Sequence, residues 1–197
     1  MKNIKPNLQV LLILALLFSS CSKVTISTDN SYETVNFPDG SFAYLNKNSS
    51  VEFNQNFTER IVKQKGEVFY EVKKGTNPFI VKAETGEVKV LGTKFNAKST
   101  ENDLEVDVES GSVEVKVNKL VESIKKGQKA VFKETENRIK LAKSELKHKQ
   151  WIRNLKKDFK KLGKEIGNES KQLKKESKEI GKEVTKGFNK LKKKINN

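Results

Sequence analysis

From Leu104 to Val117 the sequence alternates apolar and charged residues: Leu104, Val106 and Val108 are separated by Glu105 and Asp107, and Val113, Val115 and Val117 by Glu114 and Lys116. A period of two sets the apolar side chains on one face and the charges on the other, which a half-buried strand requires and a helix, with its period of about 3.6, cannot use. Glu109-Ser110-Gly111-Ser112 between the two runs supplies the turn chemistry. Short runs of the same kind recur at Gly66–Val72, Phe79–Val81, Val88–Leu91 and Ala130–Phe132, each bounded by Gly, Asn, Asp or Pro. Many short strands at a spacing of about ten residues predict a sandwich, a barrel or a solenoid-like stack, with no room for a parallel βαβ unit.

Charge divides the rest. Residues 24–142 hold 18 Lys+Arg and 18 Asp+Glu, whereas 143–197 hold 19 and 7, a net +12 out of the +15 of the whole chain. The basicity belongs to the tail alone. The first 119 or so residues after the leader fit one small domain.

The N-terminus reads as an export signal. Lys2 and Lys5 precede an apolar run from Val10 to Phe18, followed by Ser19, Ser20 and Cys21. The run is well short of the roughly 20 residues that a spanning helix needs. Cysteine after two small residues resembles the lipobox of bacterial lipoproteins, which implies that Cys21 becomes the mature N-terminus and carries acyl chains. Cys21 is the one cysteine in the chain, so no disulfide framework competes for it. Export removes nucleic acid as a partner for the basic tail and leaves anionic lipid, cell-wall polymer or an acidic protein face.

Between these ends, a set of motifs follows a known order: Phe37-Pro38-Asp39-Gly40-Ser41, then Leu45-Asn46 and Ser49-Ser50; Gly66–Val72; Pro78–Val81; Val90-Leu91-Gly92-Thr93-Lys94-Phe95-Asn96; Glu109–Val113; and Gly127–Val131. Together they resemble the FecR domain, the periplasmic sensing module of bacterial cell-surface signalling. The resemblance implies a fold that is mainly β, a twisted solenoid-like or sandwich-like stack of short strands, here followed by a long C-terminal amphipathic α-helix. Full-length relatives carry a cytoplasmic segment that engages a sigma factor, a transmembrane helix, and a periplasmic part that contacts a TonB-dependent transducer. Neither of the first two is expected here, so direct sigma factor contact is not expected either. The motif residues Pro38, Asp39, Gly40, Gly66, Gly92, Thr93, Phe95, Asn96, Gly111 and Gly127 read as structural. Pro38 presets a turn, the Asp39 carboxylate closes it, and Gly40 takes the positive φ that follows. Gly92 and Gly111 mark bends from one layer to the next, and Phe95 and Tyr70 fill the core beside them.

Catalytic chemistry finds little support. His148 is the one histidine and stands between Lys147 and Lys149, which places it on a solvated surface with no second histidine or cysteine to complete a common zinc site. Glu101, Asp103, Glu105, Asp107 and Glu109 alternate along one strand and read as its exposed charged face. No glycine-rich phosphate loop or nucleophile elbow occurs. The chain is expected to be no enzyme and to need no cofactor and no metal.

The tail has its own period. Trp151, Leu162, Leu173, Val184 and Ile195 recur every eleven residues, with Leu155, Ile166 and Phe188 on a second column. At roughly 100° per residue from Leu162, these residues and Ile152, Phe159, Ile180 and Leu191 fall between about −20° and +80°. One apolar stripe therefore runs along one long helix, expected from Glu145 to Ile195. Lysines repeat at i, i+4 through Lys178, Lys182, Lys186, Lys190 and Lys194, and like charges at that spacing repel. Gly163, Gly167, Gly181 and Gly187 cost about 1 kcal/mol each relative to Ala. Three covers for the stripe stay open: a membrane interface, a helical protein partner or coiled coil, and no cover, as a solvated basic tether to cell-wall polymer.

The organisation expected is thus a signal peptide over 1–21 with acylated Cys21, a linker over 22–34, a FecR-like β domain over 35–142 and a basic amphipathic helical tail over 143–197. The expected role is a lipid-anchored, non-enzymatic protein-binding or signal-relay module in the cell envelope, at the outer membrane facing the periplasm. The competing role is a structural envelope lipoprotein whose β domain is a scaffold for the helix.

Overall fold

The computed structural model describes residues 23–195, the helix side chains at 162, 163, 166, 180, 181 and 183–195 excepted. Two compact units meet in sequence at His148 and Lys149. The first is built from strands β1 (Lys23–Ser27), β2 (Glu33–Asn36), β3 (Phe42–Leu45), β4 (Ser50–Asn54), β5 (Ile61–Glu71), β6 (Phe79–Lys82), β7 (Glu87–Val90), β8 (Lys94–Ser99), β9 (Asp103–Ser110), β10 (Ser112–Val117), β11 (Leu120–Lys125), β12 (Gln128–Lys133) and β13 (Arg138–Lys143). A single 3-10 turn, Glu134–Glu136, joins the last two.

The strands form one thirteen-stranded sheet with a fold line through β5. The first half of β5 pairs with β4 and β6, and that layer runs β1-β4-β5-β6-β7-β10-β11. Its second half pairs with β3 and β8, and that layer runs β2-β3-β5-β8-β9-β12-β13. Every pair is antiparallel except β5 with β6. Gly66 sits at the fold line with φ +76°, and a Cβ there would stand 2.6 Å from the Asn48 carbonyl oxygen. Only a residue without a side chain lets β5 serve both layers.

The chain also changes layer between β1 and β2, between β3 and β4 and between β5 and β6, and three later changes fall at expected glycines. The chain passes from β7 to β8 at Gly92 and from β9 to β10 at Gly111, each time exchanging one layer for the other. Gly127 marks a third such passage, from β11 to β12. Alternation then does what the sequence predicts. In β10, Val113, Val115 and Val117 are buried at 1–2 % exposure while Ser112, Glu114 and Lys116 face out.

The space between the layers is filled by aromatic rings. Phe37, Phe53, Phe57 and Phe79 contact one another with centroids 5.0 to 5.8 Å apart, mostly edge to face. Tyr70 continues the cluster onto Phe79 and stacks on Phe95. Its hydroxyl donates to Gln64 Oε1 at 3.0 Å, and Gln64 donates in turn to the Ala97 and Gly66 carbonyls, so the one phenol at the centre of the core is satisfied. Burial holds that hydroxyl's pKa well above its ordinary value.

Three expectations are corrected. Residues 23–27, expected in a linker, form β1, which pairs along its whole length with β4, so the β unit begins earlier. Asp107, expected on an exposed face, is 4 % exposed, and His148, expected in solvent, is 2 % exposed. Both lie on the outer face of the second layer, which segments distant in sequence cover.

The second unit is one 48-residue helix, α1 (His148–Ile195). It starts three residues later than expected, because Leu146 adopts φ +49° and the helix cannot run through a left-handed residue. At ~1.5 Å per residue α1 is about 72 Å long. Among the described residues no helix is long and apolar enough to cross a membrane.

Candidate functional site

The Pro38-Asp39-Gly40 turn forms as its residues dictate. Gly40 takes φ +80°, and Asp39 accepts from the Ser41 backbone N–H at 2.8 Å and from the Ser41 hydroxyl at 2.9 Å. Asp39 also accepts from Arg60 Nε at 2.8 Å. Arg60 is 8 % exposed, its two outer nitrogens donate to the Asn77 and Lys73 carbonyls at 2.6 and 2.7 Å, and its guanidinium lies over the Phe79 ring. One buried arginine thus ties the β2–β3 turn, the end of the β4–β5 loop and the β5–β6 connection together. Nothing local to Arg60 signals this, since its partners lie 13 to 21 residues away.

Two layer passages meet at an open hollow of about 700 Å³. Gly92, Thr93, Gly111 and Ser112 line it, with Pro78 and Leu91 at its wall and Lys89, Glu114 and Lys125 among its charged residues. Thr93 is buried and donates from its hydroxyl to the Ser112 carbonyl at 2.9 Å, which links the two passages. Gly92 runs against the chain after β5: Gly75 donates to the Leu91 carbonyl and Val72 to that of Thr93, so a Cβ on Gly92 would stand 2.8 Å from Lys74 Cα. Close pairing of these two segments turns Leu91 outward, and it is 56 % exposed. The structure therefore brings three of the expected motif residues, Gly92, Thr93 and Gly111, to one surface. Phe95 itself is fully buried, and Pro38, Asp39, Gly40 and Gly66 stand elsewhere in the β unit, as framework.

The outer face of the second layer holds a polar cluster that sequence reasoning missed. The His148 ring stacks on Phe69 at 5.0 Å and 19°, and its Nε2 stands 3.4 Å from a Glu109 carboxylate oxygen. Asp107 accepts a hydrogen bond from the Ser144 hydroxyl. Asn96, opposite both Phe69 and Asp107 in register, donates to Glu67, which also accepts from Asn46. Beside them Lys94 donates to Glu71 at 2.7 Å, and that bond raises the lysine's pKa. Such a cluster joins the end of the β unit to its sheet.

Among the described residues no group of His, Cys, Asp or Glu is placed to hold a metal ion. Cys21 lies outside the described residues. On α1, Trp151 and Leu155 are buried, Phe159 is 42 % and Leu173 65 % exposed, and Lys178 and Lys182 are exposed. The side chains of Leu162, Ile166, Ile180, Val184, Phe188, Leu191, Ile195, Lys186 and Lys190 lie outside the described ones.

The β unit is thus a folded-over β sheet with a surface hollow framed by two layer passages. The β unit is similar to one known family: the family model described as FecR protein matches residues 24–114. The match begins inside β1, in keeping with that strand's place in the sheet. Two crystal structures from Parabacteroides distasonis, at 1.65 and 2.50 Å, both described as a "putative anti-sigma factor", are similar in fold and sequence. Each is 29 % identical; the first covers 66 % of this chain and 64 % of its own with a TM-score of 0.62, the second 62 % and 61 % with 0.60. The similarity thus spans less than two thirds of those proteins. No curated protein matches the sequence.

Proposed function

We propose that this protein is a lipid-anchored FecR-type envelope module that binds a protein partner and relays a signal in sigma-factor regulation, without catalysis and without touching the sigma factor. The observation that carries this is the hollow at Gly92, Thr93, Gly111 and Ser112, where family-motif residues and the outward Leu91 share one accessible surface. An exposed leucine beside polar backbone and flanking lysines suits a protein face better than a small polar ligand. By family, the partner is a TonB-dependent transducer of the outer membrane, and the module acts from the periplasmic side.

The test places a photo-crosslinking residue at Leu91 in intact cells and a second at Lys63, which lies away from the hollow. Leu91 is expected to capture the transducer and Lys63 is not. Deleting the protein should change transcription from the cognate sigma-dependent promoter several-fold. Unchanged transcription together with no transducer adduct at Leu91 leaves the structural-lipoprotein role instead.

Anchoring is tested separately. Cys21→Ala is expected to abolish fatty-acid labelling and to leave unprocessed or soluble protein. Mass spectrometry finding an unmodified Cys21 on the mature wild-type chain overturns the anchor.

A further inference from the structure

Along α1 the charges are sorted by sign about the apolar stripe. With Leu162 at zero and roughly 100° per residue, Phe159 and Leu173 stand at about 60° and 20°. The acids among the helix's described side chains, Asp158, Glu165, Glu169, Glu176 and Glu179, all fall between about 260° and 340°, on one border of the stripe. Lys156, Lys160, Lys174 and Lys178 fall between about 120° and 160°, on the opposite border. Lys161, at about 260°, is the exception on the acid border, where it stands 3.9 Å from Glu165. All ten charged side chains, and both apolar ones, are exposed.

This sorting decides what can cover the stripe. An anionic lipid surface would bring its phosphates against Asp158, Glu169 and Glu176 at the stripe's edge, so one whole border would be repelled. An antiparallel copy sets each border against itself, acid on acid and lysine on lysine. A parallel copy sets the acid border of one helix against the lysine border of the next, around the entire assembly. The heights agree as well. Asp158 lies two residues from both Lys156 and Lys160, and Glu176 two residues from both Lys174 and Lys178, about 3 Å along the axis. The eleven-residue spacing of Leu162, Leu173 and Val184 in the sequence matches the period of a right-handed supercoil.

We infer that α1, from Phe159 onward where its described apolar side chains are exposed, covers its stripe with further copies of itself, parallel and in register, two being the smallest closed set. Lys157, Lys164, Lys171, Lys175 and Lys182 fall on the far side of the helix and stay in solvent, where physiological salt screens their repulsion beyond about 8 Å. The inference is independent of what the β unit binds.

The test uses the chain from Ser22 onward, which keeps every described residue and lacks Cys21. Sedimentation equilibrium at physiological salt is expected to give a multiple of the monomer mass. One variant carries Asp158→Lys, Glu165→Lys, Glu169→Lys and Glu176→Lys; the other carries Lys156→Glu, Lys160→Glu, Lys174→Glu and Lys178→Glu. Each alone should self-associate at least about tenfold more weakly, because like borders then meet. Mixed in equal amounts, they should form a complex of the two as tight as the wild type. Phe159→Cys should oxidise to a disulfide-linked dimer, since parallel register brings equal positions together. A wild-type chain that is monomeric while helical by circular dichroism overturns the inference, as does failure of the mixture to associate. So does a wild-type monomer that binds phosphatidylglycerol vesicles, with the acid-to-lysine variant binding them more tightly; that result assigns the stripe to lipid.

Discussion

Val115→Asp is expected to abolish the cooperative melt of the β unit or to lower it by tens of degrees. Val115 is 1 % exposed and sits at the middle of β10, opposite Val88 on β7 and Glu122 on β11, with its side chain toward the interior between the layers. The core cluster around it holds Val88, Val90, Val113, Val117 and Ile124, which offer no hydrogen-bond donor. A carboxylate there is either ionised without a partner or forced to take up a proton, and either way the cost is several kcal/mol. A domain of this size has about 5–15 kcal/mol in all, so one such charge takes most of it. Circular dichroism and calorimetry on the chain from Ser22 onward should show loss of the β-type melt at room temperature or a transition lowered by tens of degrees. Glu114→Gln, on the outward neighbour, should stay within about ±0.5 kcal/mol of wild type and serves as the control. An unchanged melting temperature for Val115→Asp would mean that β10 faces the other way.

The same alternation that makes β10 legible misleads at β9. Leu104, Val106 and Val108 are buried as their spacing predicts, yet Asp107 between them is buried too. Period two says which side chains share a face; it does not say whether that face meets water. In the first layer the outer face of β10 stays open. In the second, Ser144 and His148, 37 and 39 residues downstream, return to Asp107 and Glu109 and cover the outer face. A lone histidine flanked by lysines gives no local sign of stacking on Phe69. The glycines at the layer passages were legible because a φ above zero or a close backbone approach constrains residue type directly. Gly66 was legible as a motif residue but not as a fold line, since nothing in an eleven-residue strand marks where its partners change. The hollow at Leu91 was not legible either. It arises where the chain after β5 pairs with residues 91–93, and a pairing across that distance leaves no periodic trace.

Arg60→Ala costs about 3–5 kcal/mol, the range for breaking a buried ion pair by removing one partner. The loss has three parts. Asp39, its side chain 16 % exposed, keeps the Ser41 donors but loses its cation; the Lys73 and Asn77 carbonyls lose their donors; and Phe79 loses the guanidinium over its ring. For a unit of roughly 120 residues this should lower the melting temperature by about 10–20 °C. Arg60→Lys restores the charge and not the fork, for an ammonium on a flexible stem cannot reach an aspartate and two carbonyls on different segments at once, so it should recover less than half of the loss. Arg60 also holds φ +51°, a left-handed conformation that a glycine adopts without strain. Arg60→Gly should therefore be less destabilising than Arg60→Ala by up to about 1 kcal/mol, although it removes the same contacts. Asp39→Asn combined with Arg60→Ala should lose less than the sum of the two single changes, because each already breaks the pair. Additive losses in that cycle, or a melting temperature for Arg60→Ala within about 2 °C of wild type, would show that the turn and the β5–β6 connection hold their places without the arginine.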